Sequence, residues 1–334
     1  MIRVPYETMR QEFIRVLHKY GIEGERAELS ATLFVNASRD GIYTHGLNRF
    51  PKFIKSIRDG SVNVHAEATC EERLGMLERW DGHRGCGNLN AYACMQRAIA
   101  LAHEQTIGVV ALRNTNHWMR PGNYGLMAIE ENCMGILWTN TVPNMPPWGG
   151  RDARLGNNPV VFALPNGDQP PVLLDVAVSM FSYGKLESYA RQGKPLPVDG
   201  GLNEKQEITK DAAEILKTHQ VLPIGYWKGS GLSLVLDLIA AALSGGRTTR
   251  EVGTLPTETE LSQVFVAVDL GRLPDGAAFQ EKMRASLEDL QTSTPVDAER
   301  PVYYPGKNMM RLREENMRMG IPAEESVWET VLEL

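Results

Sequence analysis

Cysteine is scarce in this sequence, and the few that occur form no recognisable pair. The chain has four cysteines in 334 residues, and none lies in a C-x-x-C pair. A chain of this length with so few cysteines has no disulfide scaffold to stabilise it, so we predict reduced thiols. The seven histidines show neither H-x-H nor H-E-x-x-H spacing, and we therefore predict no local metal site.

Blocks of like charge and long apolar runs are also missing. The formal net charge is −6, which disfavours a nucleic-acid partner. The longest apolar stretch, 232–243, contains Ser233 and Asp237 and falls short of the roughly 18 residues that span a bilayer. The first seven residues have no apolar signal core. We expect a soluble, cytoplasmic protein with no membrane partner.

The residues that are present suit a large globular chain. Hydrophobic residues make up 43% of the sequence, and 334 residues favour two domains. Apolar spacing predicts three helices in the first sixty residues, over 6–20, 25–39 and 45–58. Pro51 lies inside the third pattern and can kink or break that helix.

Helical and strand patterns alternate from about residue 75 onward, which predicts an α/β domain. The predicted helices are 89–105, 124–132, 232–243, 278–290, 308–319 and 322–334. The predicted strands are 107–112, 134–139, 160–164, 172–178 and 264–268. Proline and glycine are concentrated in 141–159, a stretch typical of a functional or lid-like loop.

Two glycine patterns raise the question of a dinucleotide-binding fingerprint. Gly85 and Gly87 supply only two of its three glycines, and the segment before them, 78–84, does not have the pattern of a buried strand. The ordinary Rossmann fingerprint is therefore absent. Gly229 and Gly231 precede the apolar helix beside Lys228, where exposed N–H groups could bind a phosphate, or the glycines could simply turn the chain.

His45 and Arg49 form the sharper motif. Their i, i+4 spacing would place both on one face of a helix. A guanidinium binds a carboxylate through two hydrogen bonds, and a histidine exchanges protons near neutral pH. The pair suits a 2-oxo or 2-hydroxy acid, although a histidine at a helix start beside a solvated arginine would give the same pattern.

A third cluster, 114–124, follows the predicted strand 107–112 and contains His117 and Trp118. Polar groups beyond the carboxyl end of a strand are where α/β folds place ligands. Its asparagines and glycine are equally typical of a plain turn.

Taken together, these segments resemble the malate/L-lactate dehydrogenase family, which is unrelated in fold to the Rossmann lactate and malate dehydrogenases. The resemblance runs over nearly the whole chain in the same order. It rests on the segments 44–46, 49–50, 114–124, 138–140, 146–149, 156–159, 174–175, 184–185 and 223–231. The narrower words at 180–184, 196–201 and 225–231 point within the family to a reductase of a sugar-derived 2-oxo acid.

The resemblance implies an NAD-dependent oxidoreductase that reduces a C2 carbonyl, with NADH as cofactor and NADPH as the alternative. It implies a non-Rossmann α/β cofactor-binding domain over 75–294. A helical substrate and dimerisation domain would combine 1–74 with 295–334. The enzyme would be a homodimer with its active site near the subunit interface. The predicted helices of the first sixty residues also expose more apolar side chains than three helices can cover, which favours association.

The site residues implied by the resemblance fall into three groups. The catalytic residues are His45 as proton donor, Arg49 and His117. The substrate-binding residues are Thr44, Arg120 and Asn140. The cofactor-binding residues are Pro171, Val172, Leu173, Leu174, Asp175, Val176, Ala177, Trp227, Lys228, Gly306, Lys307 and Asn308. Four positions depart from the family pattern: Thr44 replaces a serine, Asn157 replaces a threonine, and the pair Lys307-Asn308 is unusual.

Several alternatives remain at this stage. Relatives that act on malate, lactate, ureidoglycolate or a cyclic imino acid would share the same motifs. A non-catalytic regulatory protein that binds a sugar acid would need Arg49 but not His45. Asp175 could face the adenosine ribose and repel a 2′-phosphate, or it could hold backbone groups at the end of its strand. In the second case Lys228 and Lys307 leave room for either cofactor.

Overall fold

A computed structural model describes residues 2–334, with helices and strands alternating along the chain. The strands are β1 (Ile2–Val4), β2 (Thr69–Leu74), β3 (Leu77–Asp81), β4 (Ile107–Thr115), β5 (Cys133–Thr139), β6 (Val160–Leu164), β7 (Val172–Val176), β8 (Gly201–Leu202), β9 (Ile208–Thr209), β10 (Leu261–Asp269) and β11 (Ile321–Ala323). The α-helices are α1 (Tyr6–Lys19), α2 (Gly24–Arg39), α3 (Phe50–Arg58), α4 (Gly87–Gln105), α5 (Gly122–Glu130), α6 (Tyr183–Gln192), α7 (Ala212–Thr218), α8 (Trp227–Ser244), α9 (Thr249–Val252), α10 (Gly276–Gln291), α11 (Lys307–Met319) and α12 (Glu325–Glu333).

A seven-stranded sheet forms the centre of the molecule, in the order β2-β3-β4-β10-β5-β6-β7. β3 and β4 pair in parallel, and the other neighbours in this sheet pair antiparallel. β10 comes late in the chain but lies between β4 and β5. This mixed sheet differs from the parallel sheet of a Rossmann domain, and the predicted α/β class is confirmed.

Alternation along the central strands assigns one helix layer to each face of the sheet. Phe265 packs in the core cluster that contains residues of α4 and α5, whereas Val264, the preceding residue, packs with Ala240 of α8. Successive strand residues point to opposite faces, so β10 is covered on both sides. β10 is therefore buried as a central strand must be.

The two ends of the chain form a separate helical layer, made of α1, α2, α3, β1, β11 and α12. β1 pairs with β11, and the cluster buried in this layer runs from Val4 to Val331. Phe13 and Phe50 stack within it, with ring centroids 4.1 Å apart. The two termini share this core, and β2, which lies within residues 1–74, pairs with β3 in the large sheet.

Three local predictions were wrong. The third helix begins at Phe50 rather than residue 45, because Pro51 suits the first turn of a helix, and residues 43–45 form a short 3₁₀ turn. The segment 78–84, which lacks the pattern of a buried strand, contains most of β3; Glu78 is buried there, and its carboxylate accepts hydrogen bonds from Arg97. Residues 321–323 form a strand before the last helix begins at Glu325.

Exposed apolar surface lies on α8 rather than on the N-terminal helices. The large apolar side chains of α1, α2 and α3 are mostly buried in the helical layer, contrary to the expectation from the sequence. α8 is longer than predicted. By length and composition alone, this helix of 18 residues could cross a membrane, and 28% of its residues are buried. Its exposed apolar residues are Trp227, Leu232, Leu234, Val235, Leu238 and Ile239.

Candidate active site

A cleft of about 670 Å³ opens between the helical layer, the end of β7 and a small lobe made of residues 181–221. The small lobe holds α6 and α7 around its own apolar cluster. Two ion pairs fasten it across the cleft: Lys52 with Glu187 at 3.3 Å, and Arg191 with Glu324 at 2.9 Å. The predicted site residues that line the cleft are Thr44, His45, Arg49, His117, Asp175, Val176 and Ala177.

The turn that carries His45 is fixed by its packing on α2. A Cβ on Gly46 would overlap Ser38 Oγ and lie 2.7 Å from Ser38 N, so only glycine permits this close approach. Ser38 Oγ in turn accepts a hydrogen bond from Leu47 N at 2.8 Å. On the other side of the turn, Gly184 lets the start of α6 pack directly on Thr44, because a Cβ there would lie 3.0 Å from Thr44 Cβ. His45 is thereby held between the helical layer and the small lobe.

His45 is a neutral imidazole when the cleft holds no anion. Burial, and then the positive charges of Arg49 and Arg120, together lower its pKa to about 4. Its Nδ1 lies 2.9 Å from Thr44 Oγ1, so the hydroxyl fixes the orientation of the ring. The threonine keeps the hydroxyl that the family pattern supplies with serine.

His117 lies next to His45, with ring centroids 6.1 Å apart and the rings inclined by 23°. Its Nδ1 accepts a hydrogen bond from Met119 N at 3.0 Å. Burial lowers the pKa of His117 well below its usual value, and Arg49 and His45 act in the same direction. The neutral ring therefore carries its proton on Nε2, which makes it a hydrogen-bond donor on the wall of the cleft.

Arg49 supplies the positive charge beside these rings. It immediately precedes α3, and burial lowers its pKa, an effect that the carboxylates of Glu258 and Glu187 oppose. The predicted grouping of Arg49 with His45 and His117 holds in space, although His45 and Arg49 do not share one helix face. The 3₁₀ turn and the short α3 bring them together instead.

Arg120 and Asn140, predicted to bind substrate, lie outside the cleft lining. Arg120 is 2% exposed and pairs with the fully buried carboxylate of Asp40 at 2.6 Å, which also holds Arg313. The Asn140 amide nitrogen donates to Asp237 and to Arg247 O, and its oxygen accepts from Ser262 N at 2.8 Å. Both side chains bind other parts of the protein, so a role for either in substrate binding stays a prediction.

Asp175 has two features that bear on its predicted role. It lines the cleft, and its Oδ2 accepts a hydrogen bond from Gly122 N at 2.9 Å, at the start of α5. Burial raises the pKa of Asp175, against the opposing effects of Arg120 and this backbone hydrogen bond. Holding a backbone group is thus an established part of what Asp175 does, whereas contact with a ribose stays a prediction.

The remaining predicted cofactor residues lie along β7 but not in the cleft lining. Gly306 packs on the first residues of the strand, where Leu173 N donates to Pro305 O at 3.0 Å. At the other end, Ile224 N donates to Val178 O, which brings the start of α8, and with it Trp227 and Lys228, close to the chain that continues β7. Lys307 Nζ donates to Gln291 and lies over the rings of Tyr303 and Tyr304. The three predicted cofactor segments therefore meet along one strand.

The donor set along this strand suits a nicotinamide cofactor. β7 is an edge strand of the sheet, and Leu173 turns its backbone N–H away from β6. By the alternation of an antiparallel pair, the backbone groups of Asp175 and Ala177 point to the same outer edge, into the cleft that both residues line. An amide ligand can bind such an edge through both a donor and an acceptor, and Asn144 Oδ1, on a residue that lines the cleft, is buried without a hydrogen-bond partner.

Several residues of the cleft carry no motif that assigns them a role from the sequence. Glu258, Asn144 and Tyr183 line it, and Tyr183 Oη donates to Asn144 O at 2.7 Å. A lone glutamate or asparagine in a loop has no spacing signal, so Glu258 and Asn144 could not be found. Tyr183 lies in the 180–184 segment that carries part of the family resemblance, although nothing there assigns it a role.

Comparison with known proteins agrees with this geometry. The family model described as malate/L-lactate dehydrogenase matches residues 4–332. The 2,3-diketo-L-gulonate reductase of Citrobacter koseri is 42% identical over 328 residues, covering 98% of each chain. Among solved structures, malate dehydrogenase from Pyrococcus horikoshii has a TM-score of 0.87 at 31% identity, covering 99% of this chain and 94% of that one. Sulfolactate dehydrogenase from Methanocaldococcus jannaschii has a TM-score of 0.89 at 27% identity, covering 99% and 96%. This chain is an oxidoreductase and belongs to the malate/L-lactate dehydrogenase family.

Proposed function

We propose that this protein reduces the C2 carbonyl of 2,3-diketo-L-gulonate, with NADH as the hydride donor. The observation that carries the proposal is the convergence of His45, Arg49 and His117 on one cleft beside the outer edge of β7. The 42% identity to a 2,3-diketo-L-gulonate reductase over 98% of both chains supports this choice of substrate among 2-oxo acids. When bound, the reduced nicotinamide supplies the hydride.

His45 is the proposed proton donor. A reduced carbonyl becomes an alkoxide that needs a proton, and a positioned imidazolium delivers one. Arg49 and Arg120 keep the pKa of this ring low before substrate binds. A substrate carboxylate on Arg49 cancels part of that positive charge, so binding of the oxo acid raises the pKa of His45 and promotes its protonation.

Arg49 and His117 are proposed to orient the substrate. The planar guanidinium holds the carboxylate through two hydrogen bonds and fixes the direction of the adjacent C2 carbonyl. The Nε2–H of His117 is a neutral donor on the same wall, suited to the carbonyl oxygen as negative charge develops on it. Thr44 orients His45 through its hydroxyl.

The proposed cofactor site runs along β7, from Pro171 to Ala177, and includes Trp227, Lys228 and residues 306–308. We favour NADH over NADPH because the carboxylate of Asp175 stands on the cleft wall and would repel a 2′-phosphate brought near it. The Oδ2 of Asp175 is occupied by the hydrogen bond that it accepts from Gly122 N.

The proposed assembly is a cytoplasmic homodimer. The exposed apolar side chains of α8 form a stripe that includes Leu234, Val235, Leu238 and Ile239, and a two-fold axis would cover it with the same stripe of a second copy. The helical layer formed by the two termini remains the proposed substrate domain, and α8 adds a surface of the domain that holds the large sheet to the interface.

The test is loss of NADH absorbance when the purified enzyme meets 2,3-diketo-L-gulonate. Pyruvate, oxaloacetate and a cyclic imino acid are assayed in parallel, since the same cleft could reduce any of them. The proposal expects the highest kcat/KM for 2,3-diketo-L-gulonate. A higher value for one of the other acids would reassign the substrate, and no oxidation with any of them would favour a non-catalytic role.

A further inference from the structure

Glu258 places a carboxylate in the cleft that the proposed reaction does not use. It lies in the loop 253–260, between α9 and β10, and lines the cleft together with Arg49. Its neighbours fix the loop: Thr257 Oγ1 accepts a hydrogen bond from Ser61 Oγ at 3.1 Å, and Glu260 pairs with Arg247 at 2.6 Å. The position of Glu258 is therefore built into the structure.

The charge of Glu258 acts on the residue that is proposed to hold the substrate carboxylate. Arg49 and Glu258 attract each other, and each shifts the pKa of the other toward its charged form. Burial raises the pKa of Glu258, and the positive charge of Arg49 and a hydrogen bond from the Val142 backbone oppose that rise in part. Arg49 is thus a strong cation in the cleft, and the carboxylate of Glu258 lines the same cleft as a hydrogen-bond acceptor.

Two other carboxylates line the cleft, and neither acts on Arg49 as strongly as Glu258 does. Glu187 is at the rim, where its carboxylate pairs with Lys52 at 3.3 Å and its side chain is 40% exposed. Asp175 accepts the Gly122 N–H. Glu258 is therefore the carboxylate best placed to meet the part of a substrate that extends beyond its first carboxylate.

We propose that Glu258 determines specificity, selecting polyhydroxylated monocarboxylic acids and rejecting dicarboxylic acids. A hydroxyl can donate a hydrogen bond to the carboxylate, whereas a second carboxylate only adds a like charge in a partly desolvated site. Discrimination of this kind needs a repulsive element as well as an attractive one, and Arg49 and Glu258 provide the two. The inference rests on the proposed function, because it assumes that Arg49 binds the first carboxylate.

L-Gulonate and D-glucarate make a matched pair of probes. They share one six-carbon polyhydroxylated chain and differ in whether its far end is CH₂OH or a second carboxylate. Isothermal titration calorimetry of the full-length protein with NADH present gives both dissociation constants without turnover, since neither alcohol-level acid can react with the reduced cofactor. This readout stays separate from the assay of 2,3-diketo-L-gulonate reduction, so failure of the two proposals can be distinguished.

The wild-type protein should bind L-gulonate at least about tenfold more tightly than D-glucarate, since like charges in a desolvated site repel strongly. Glu258→Gln keeps the size of the side chain, and it should reduce that preference about tenfold, mainly by tightening D-glucarate binding. Glu258→Asp keeps the charge and should keep the direction of the preference. Glu187→Gln, the matched control at the rim, should change the ratio less than about twofold, because solvent and Lys52 already screen that carboxylate.

Three results would overturn the inference. The first is equal binding of the two acids, or no binding of L-gulonate, in the wild-type protein. The second is an unchanged ratio in a folded Glu258→Gln protein. The third is a loss of preference in Glu187→Gln as large as that in Glu258→Gln, which would mean that the total charge of the cleft decides.

Discussion

The rings of His45 and His117 lie face to face, 6.1 Å apart between centroids, and Arg49 lowers the pKa of both. Two imidazoles held this close do not both carry a proton easily, since each positive charge would repel the other. His117 is fixed as a neutral donor by Met119 N–H, so His45 is the ring left to titrate during a reaction.

Replacing His45 with asparagine should remove most of the reductase activity. A positioned acid contributes about 10² to 10⁴ in rate, so kcat for the oxo acid should fall by that factor. NADH affinity, measured by fluorescence titration, should change little, because the proposed cofactor residues lie along β7. Wild-type turnover in His45→Asn would exclude His45 as the proton donor.

The low pKa of His45 predicts the pH dependence of reduction. Reduction requires a protonated His45, and kcat/KM follows the fraction of free enzyme that carries this proton. Because the pKa of His45 is about 4, that fraction falls about tenfold for each pH unit above it. kcat/KM for reduction should therefore decline with a slope near −1 from about pH 5 to 8. The decline in kcat should begin at a higher pH than the decline in kcat/KM, because the bound carboxylate screens Arg49 and raises the pKa of His45.

Arg49→Gln tests the cause of that profile. Loss of the guanidinium charge should raise the pKa of His45 and move the decline in kcat/KM to higher pH, even though activity is weaker. A pH-independent kcat/KM in the wild-type enzyme would contradict the assignment of His45.

Arg49→Lys should act mainly on substrate binding. Lysine keeps the positive charge but loses the two-pronged geometry, so KM for the oxo acid should rise while kcat changes less. Steady-state kinetics at saturating NADH measures both. An unchanged KM would show that another group holds the carboxylate. Arg120, the alternative suggested by the sequence, is committed to Asp40 and would need rearrangement to take that role.

Disruption of the α8 stripe should break the proposed dimer. Leu238 is 51% exposed in the single chain, and Leu238→Glu would bury a charge at the interface of two copies. Light scattering should return twice 37.1 kDa for the wild-type protein and a smaller mass for the variant. The matched control is Leu290→Glu on α10, where Leu290 is similarly exposed, at 46%, and this variant should leave the mass unchanged. A wild-type mass of 37.1 kDa would contradict the dimer.

Cofactor preference tests the second role considered for Asp175. If its carboxylate repels a 2′-phosphate, kcat/KM should favour NADH strongly, and Asp175→Asn should reduce that preference. Asparagine can still accept the Gly122 N–H, so the variant separates charge from anchoring. A ratio near one, or a preference for NADPH, would leave Asp175 only its hydrogen bond to α5.

The sequence predicted five strands of the large sheet and missed the two strands at one edge, β2 and β3. β4, β5, β6, β7 and β10 are rich in β-branched and aromatic residues and were all predicted from that pattern. β2 and β3 were missed because charged residues dominate them and β2 is mostly exposed. The place of β10 between β4 and β5 is a long-range pairing, which no local pattern encodes.

In the candidate site too, residues with a clear sequence signal were predicted and residues without one were missed. His45, Arg49 and His117 were found because their side chains have a distinctive chemistry. Asn140 was assigned to substrate from the family resemblance, and the motif alone could not show that its amide is also hydrogen-bonded to Asp237 and Ser262. Glu258 was missed because nothing in its surrounding sequence distinguishes it from a surface glutamate.

Gly46 joins the turn that carries His45 to the helical layer. Since its backbone lies against Ser38 in the last turn of α2, the turn at His45 cannot open without loosening that end of the helix. Amides of the turn and of α2 should then exchange with solvent as one cooperative unit, with a common free energy of opening. Partial unfolding of the N-terminal helices would inactivate the enzyme while the large sheet is still intact, so heat inactivation should precede loss of the sheet.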